Sequence, residues 1–237
     1  MRRLPHAMLY LLVAVTIVTF LPSSAQAYSD DDRRTLFSAC RQGDNATIRR
    51  LDTQDPTIVI SATDPSTENS NAFQVALGGQ HPDTALLIVR IMHAHHHRPI
   101  ERDQYGENIL THSIWYMPIP IIKELTTGKY ALPIDCRNAM GDTPLSKCVT
   151  DTRPYGLTRV KYLLSRGAFI NAQSNNGNTP LHHIFDSTNV SKAMAMLLVQ
   201  HGASLTLTNN QGYTPSETAE QFHNAVLARY LDPDRRH

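Results

Sequence analysis

The sequence predicts an all-α solenoid of about six stacked helix-turn-helix units joined by β-turn fingers. Three observations carry that prediction. Gly141-Asp142-Thr143-Pro144-Leu145, Gly177-Asn178-Thr179-Pro180-Leu181-His182 and Gly212-Tyr213-Thr214-Pro215 repeat one pattern, with threonines 36 and 35 residues apart. Two apolar helical runs, Val160–Arg166 and Met194–His201, each stop at a glycine, Gly167 and Gly202. The composition is that of a folded chain, 41% hydrophobic and 18% charged over 237 residues. This is too apolar for intrinsic disorder, and three cysteines are too few for a disulfide-built mini-protein. With 22 basic against 21 acidic side chains, the formal charge of +1 supplies no general attraction to nucleic acid.

In chain order, the first segment is an address. Arg2 and Arg3 precede an apolar stretch from Ala7 to Leu21, then Pro22 and the small-residue triplet Ala25-Gln26-Ala27. A basic start, an h-region of ~7–15 residues and an A-x-A site describe a secretory signal peptide. The other possibility, an uncleaved anchor, needs ~20 apolar residues, more than this run supplies. Residues 1–27 are therefore expected to be removed, 28–232 to form the repeat domain and 233–237 a tail. The mature chain is expected off the membrane, monomeric, and in the bacterial periplasm or secreted, an oxidising setting.

The first unit opens with Asp30-Asp31-Asp32, carries Leu36-Phe37-Ser38-Ala39-Cys40 and stops at Gly43-Asp44. Fainter copies start the second unit at Asn69-Ser70-Asn71-Ala72-Phe73 and the third at Gly106-Glu107-Asn108-Ile109-Leu110. The three clear copies begin the fourth to sixth, and each has a physical logic. Thr143, Thr179 and Thr214 are placed to N-cap a helix. Pro144, Pro180 and Pro215 fill the first helical position, where a missing N–H costs nothing. Gly141, Gly177 and Gly212 supply the positive φ of a tight turn, and Gly167 and Gly202 the left-handed helix stop. The last helix, Asn224–Leu231, is short and runs into a charged end, as a terminal cap should.

These residues resemble the ankyrin repeat, with its period of about 33 residues and T-P-L-H-x-A core. The likeness is strong from Gly141 to Leu231 and fainter upstream. Ser146 and Glu217 replace the motif His, Ser216 replaces its Leu, Arg153–Gly156 inserts between helices, and His95–Asp103 lengthens a loop. The resemblance implies that His182 bonds backbone groups and ties adjacent turns.

Residues that tempt one towards chemistry have plainer uses. His93, His95, His96 and His97 are dense enough to suggest a transition metal, but no Cys or second ligand group flanks them, so a solvated helix end is expected. His182, His183, Asp186 and Cys148 imply no relay geometry. Cys148 falls at the small buried position shared with Ala39, Ala76 and Ala219, and Cys40 beside Ala39 is expected in the core. Whether Cys136 and Cys148 form a disulfide depends on geometry that spacing does not supply. Neither a phosphate-cradling loop nor an HExxH motif is present, so no catalytic group, metal site or cofactor is expected.

By resemblance, a partner protein meets the residues flanking each turn glycine and the exposed end of each first helix. In the third unit these are Gln104, Tyr105, Glu107, Trp115 and Tyr116, and in the fourth Ala139, Met140, Asp142, Thr150 and Asp151. The fifth offers Asn175, Asn176, Asn178 and Asp186, and the sixth Asn210, Gln211 and Tyr213. Tyr105, Trp115, Tyr116, Met140, Asn175, Asn176, Asn210 and Tyr213 are the partner-binding set. Aromatic anchors would mark the third unit as the contact; equally open is that Trp115 fills the groove left by the long Arg98–Asp103 loop or packs under Pro118 and Pro120. The expected function is non-enzymatic binding of a partner protein through the concave face, in its sharper form as an inhibitor or immunity protein; the alternative is a metal-binding protein or enzyme accessory factor using His93–His97.

Overall fold

The computed structural model of the protein describes residues 28–66, 70–97, 108–129, 131–153, 155–184 and 189–235. The leader expected at 1–27 and the candidate Tyr105 lie outside them, as do Gln104, Glu107 and Asp186.

Six inner helical segments stack in chain order, and six outer ones lie behind them. Unit 1 holds α1 (Asp30–Gln42) and α2 (Asn45–Gln54), followed by an extra helix α3 (Pro56–Ser61). Unit 2 holds α4 (Ala72–Gly78) and α5 (Pro82–Ala94), and unit 3 holds α6 (Ile109–Ser113) and α7 (Ile119–Thr126). Unit 4 holds α8 (Pro144–Cys148) and α9 (Gly156–Ser165). In unit 5 the inner element is a 3-10 turn (Pro180–His183) before α10 (Asn189–Gln200); in unit 6, α11 (Pro215–Gln221) precedes α12 (Ala225–Leu231). Among the described residues the strands are two residues long, β1 (Thr63–Asp64) paired antiparallel with β2 (Ser70–Asn71). No described helix is long and apolar enough to cross a membrane.

The inner segments pack each on the next from α1 to α11, because one apolar position recurs. Leu36, Phe73, Leu110, Leu145 and Leu181 occupy equivalent places in units 1 to 5, and all are fully buried. A single pair of helices cannot bury such a side chain on both flanks, so stacking supplies the core. In unit 6 the place falls to Ser216, whose hydroxyl donates to Ala228 O at 2.9 Å. The sixth unit thus satisfies a polar group where no further unit is packed on it among the described residues. Ala39, Ala76, Cys148 and Ala219 line a second buried column, as the sequence predicts, and small side chains there let the inner helices approach.

The helix signals perform as expected at most ends. Gly43 closes α1 at φ 73°, and Asp44 caps α2 through Ala46 and Thr47 N–H. Gly167 and Gly202 take φ 83° and 90°. The outer helices of units 4 and 5 start earlier than their apolar runs suggest, at Gly156 and Asn189. The extra helix α3 was not foreseen. Asp55 caps it and Pro56 sits at its start, the same punctuation as Thr-Pro but out of step with the period.

Candidate protein-binding surface

The finger edge is a hydrogen-bonded ladder. In unit 4, Asn138 N–H donates to Asp142 O at 3.1 Å and Gly141 N–H to Asn138 O at 3.0 Å. The same pair recurs at Ser174–Asn178 and at Asn209–Tyr213. Successive fingers are then joined: Asn175 N–H donates to Met140 O at 2.9 Å, and Asn210 N–H to Asn176 O at 3.0 Å. Side chains repeat that step. Asn175 Nδ2 donates to Ala139 O at 2.8 Å and Asn210 Nδ2 to Asn175 O at 2.9 Å.

Below the tips, Arg137 Nη1 donates both to its own finger at Gly141 O (2.7 Å) and to the next at Gln173 O (2.6 Å). Gln173 Nε2 does the same one unit on, to Gly177 O and Thr208 O. Asp135 and Asn171 accept the N–H of Phe169 and Ser204, each from the following unit. These pairs share the repeat spacing, a signal that the Gly-x-Thr-Pro pattern overshadowed.

This ladder revises the predicted partner set. Asn175 and Asn210 are exposed, but their amides are committed to neighbouring fingers, so they act as staples. Asn176 lends its carbonyl to the ladder and keeps an exposed side chain. Asn178 Oδ1 accepts from Asn209 Nδ2. The large apolar side chains that the edge offers outward include Met140, 70% exposed, and Tyr213, 37% exposed.

In units 5 and 6 the residue at the third position of the inner segment secures the base of the finger. His182 Nδ1 accepts from Thr179 N–H (3.1 Å) and lies 2.7 Å from Thr179 Oγ1, while Nε2–H donates to Tyr213 O (3.0 Å). This requires the neutral Nε2–H tautomer, and burial lowers the imidazole pKa below its ordinary value. The implied motif role is thus observed. Glu217 replaces His182 one unit on: its carboxylate accepts the N–H and hydroxyl of Thr214, which lower its pKa. His183 faces Asp142 of the preceding finger at 3.5 Å, and burial lowers its pKa although the carboxylate opposes the shift.

At the other end of the inner helices, Arg153 and Arg159 rest on unit 3. Asp151, nearly buried, accepts Arg153 Nε (2.7 Å) and Arg159 Nη1 (2.7 Å). Arg159 Nε donates to Met117 O at 2.7 Å, and Arg153 Nη2 to Trp115 O at 2.6 Å. The hydrogen bond from Asp151 raises the Arg153 pKa, whereas burial lowers that of Arg159.

Trp115 is not the exposed anchor that its position suggests. It is half-buried, its Nε1–H donates to Lys147 O at 2.5 Å, and Lys147 Nζ lies 4.7 Å from the ring centre. The indole ties unit 3 to unit 4. Tyr116 does face out, 62% exposed, with the Arg153 guanidinium 4.9 Å from its ring centre. Sequence analysis missed Tyr155, 70% exposed and lining the same groove; the insertion itself was the available sign.

The histidine run does not converge on one point. His93 faces Glu124 and His95 faces Asp52 at 2.9 Å, on different helices. Among the described residues no three or more His, Cys, Asp or Glu are gathered as a metal site. The three thiols are unbridged. Burial pushes the Cys40 thiol up to about 12 and raises that of Cys148 as well, so neither is poised as a nucleophile.

The ankyrin repeat family model matches residues 176–210, from the finger of unit 5 to that of unit 6. A protein of Rickettsia felis named as an ankyrin repeat protein is 38% identical over 74 residues, 30% of this chain and 33% of that one. The chain thus spans about a third of that relative's length. Among solved structures, a chain from the complex of the Bd0816 predatory endopeptidase of Bdellovibrio bacteriovorus with immunity protein Bd3460 aligns with a TM-score of 0.66. It is 21% identical and covers 86% of this chain and 98% of that one. The ankyrin repeat domain ABAYE2397 from Acinetobacter baumannii AYE aligns with a TM-score of 0.66 at 19% identity, covering 83% and 95%. The fold is an ankyrin-repeat solenoid. Such repeats are generally interaction modules that bind other proteins and carry no chemistry of their own.

Proposed function

We propose that this chain is an exported ankyrin-repeat protein that holds one partner protein in check, as an inhibitor or immunity protein does. The observation that carries the proposal is the set of large exposed side chains, Met140, Tyr213 and Tyr116, on backbone that the staples and the Arg153–Asp151–Arg159 network hold in place. Apolar and aromatic groups on a pre-ordered frame bind with little further loss of entropy. Two points support the inhibitory role and its compartment. Residues 1–27 have the pattern of a signal peptide, and a similar fold occurs in a chain from a peptidase–immunity protein complex.

The test mixes the purified protein with any enzyme whose gene adjoins its own. A stable complex and loss of that enzyme's activity are expected, and Met140→Ser with Tyr116→Ser should weaken binding about tenfold without changing Tm. An exported product beginning at Tyr28 is the companion expectation. No complex and undiminished activity would overturn the inhibitor role; a retained leader would overturn the export.

A further inference from the structure

Building on the protein-binding role just proposed, we infer that the groove between the inner-helix ends of units 3 and 4 takes an extended acidic segment of the partner. One apolar residue of that segment seats between Tyr116 and Tyr155, and a neighbouring Asp or Glu pairs with Arg153.

Shape and lining favour an apolar side chain. The groove encloses about 530 Å³, within the ~300–1,000 Å³ of sites that take small organic groups. It therefore holds a few side chains, not a folded element. Met117, Pro118, Ile119 and Pro120 line it together with the two tyrosines. Both prolines lack an N–H, so this stretch of wall presents apolar surface where other residues would present donors. Tyrosines give a large contact area at the cost of ordering only two torsions each.

Charge selects the neighbour of that anchor. Two guanidiniums, Arg153 and Arg159, share the single carboxylate of Asp151, whose side chain is 2% exposed. One positive charge is left over beside the groove, and none of the described residues lining it carries a carboxylate. Arg159 is itself buried, whereas the Arg153 side chain is 48% exposed. Its Nη1 makes no hydrogen bond among the described residues. The contact with the Tyr116 ring and the bond to Trp115 O hold the guanidinium in position beforehand, so a carboxylate meets a fixed donor at Nη1. A basic segment would meet repulsion at the same place.

The test pans a displayed library of random short peptides on the full chain, then titrates the best resynthesised peptide by fluorescence anisotropy. Enriched peptides should place a proline, leucine or aromatic residue beside Asp or Glu. Thr158, exposed on the groove wall, gives a charge test that leaves the core alone. Thr158→Glu should weaken the peptide about tenfold and Thr158→Lys should tighten it, while Tyr155→Ser abolishes binding and Tm stays unchanged. No enrichment, basic peptides, or indifference to Thr158 and Tyr155 would each overturn the groove assignment. If the partner enzyme still binds the Tyr155→Ser protein at full strength, the groove proposal falls and the inhibitory role stands. If peptides behave as stated but no enzyme is bound, the inhibitory role falls alone.

Discussion

Three finger glycines share one conformation but differ in what lies above them, and alanine substitution separates the two effects. Gly141, Gly177 and Gly212 have φ of 77°, 76° and 83°, so a Cβ costs roughly 1–2 kcal/mol in each from the left-handed backbone alone. At Gly141 the added Cβ would lie 2.4 Å from Asn175 Oδ1 and 2.7 Å from Asn175 N. At Gly177 it would lie 2.5 Å from Asn210 Oδ1 and 2.6 Å from Asn210 N. Gly212 has nothing within 4 Å, no further finger being packed on it among the described residues. Relieving either clash means pushing the next finger away and giving up two bonds, at Gly141 those from Asn175 N and Nδ2. At about 1 kcal/mol net for each bond, Gly141→Ala and Gly177→Ala should cost about 2 kcal/mol more than Gly212→Ala. For a chain of this size that is about 4–8 °C in Tm. Thermal unfolding by circular dichroism reads the difference directly. Equal losses at all three glycines would refute the claim that fingers are held by close approach of successive turns.

Two further outcomes follow from buried polar groups. Burial holds the His182 pKa below its ordinary 6.5, so as pH falls under that value the unfolded chain takes up a proton that the folded chain resists. Stability is then full above about pH 6.5 and declines towards the lowered native value. Tm should drop between about pH 7.5 and about pH 5, and His182→Gln should flatten that slope; an unchanged slope would count against the neutral tautomer. Asp151→Ala strands Arg159 in a buried site and should cost about 3–5 kcal/mol in urea unfolding. Adding Arg159→Met should recover part of that loss, and strictly additive effects would deny the pairing.

The repeat was legible because its residues act over short range. Thr143 and Thr214 cap the helix that follows them, and Pro144 and Pro215 start it, through contacts within a few residues. Thr179 shows the limit: the same letters head a 3-10 turn, and the hydroxyl lies against His182. Asn175, Asn210 and Trp115 show a related limit: position within a unit gives no sign of the hydrogen bonds that each makes to the neighbouring unit. The extra helix α3 has no counterpart in the other units, so the repeat period carries no sign of it.

By itself the sequence determined the stack: the turn glycines, the helix starts and the recurrent buried column at Leu36, Phe73, Leu110, Leu145 and Leu181 all follow from local geometry and periodic apolar spacing. Only the tertiary structure decided which exposed-looking side chains remain available. It set Asn175 and Asn210 against the preceding finger, turned the Trp115 indole onto Lys147 O, and brought Tyr155 into one groove with Tyr116. The reason is physical: capping and turn formation are settled within one unit, whereas hydrogen bonding and burial of a surface residue depend on the unit packed beside it, some 35 residues away in the chain.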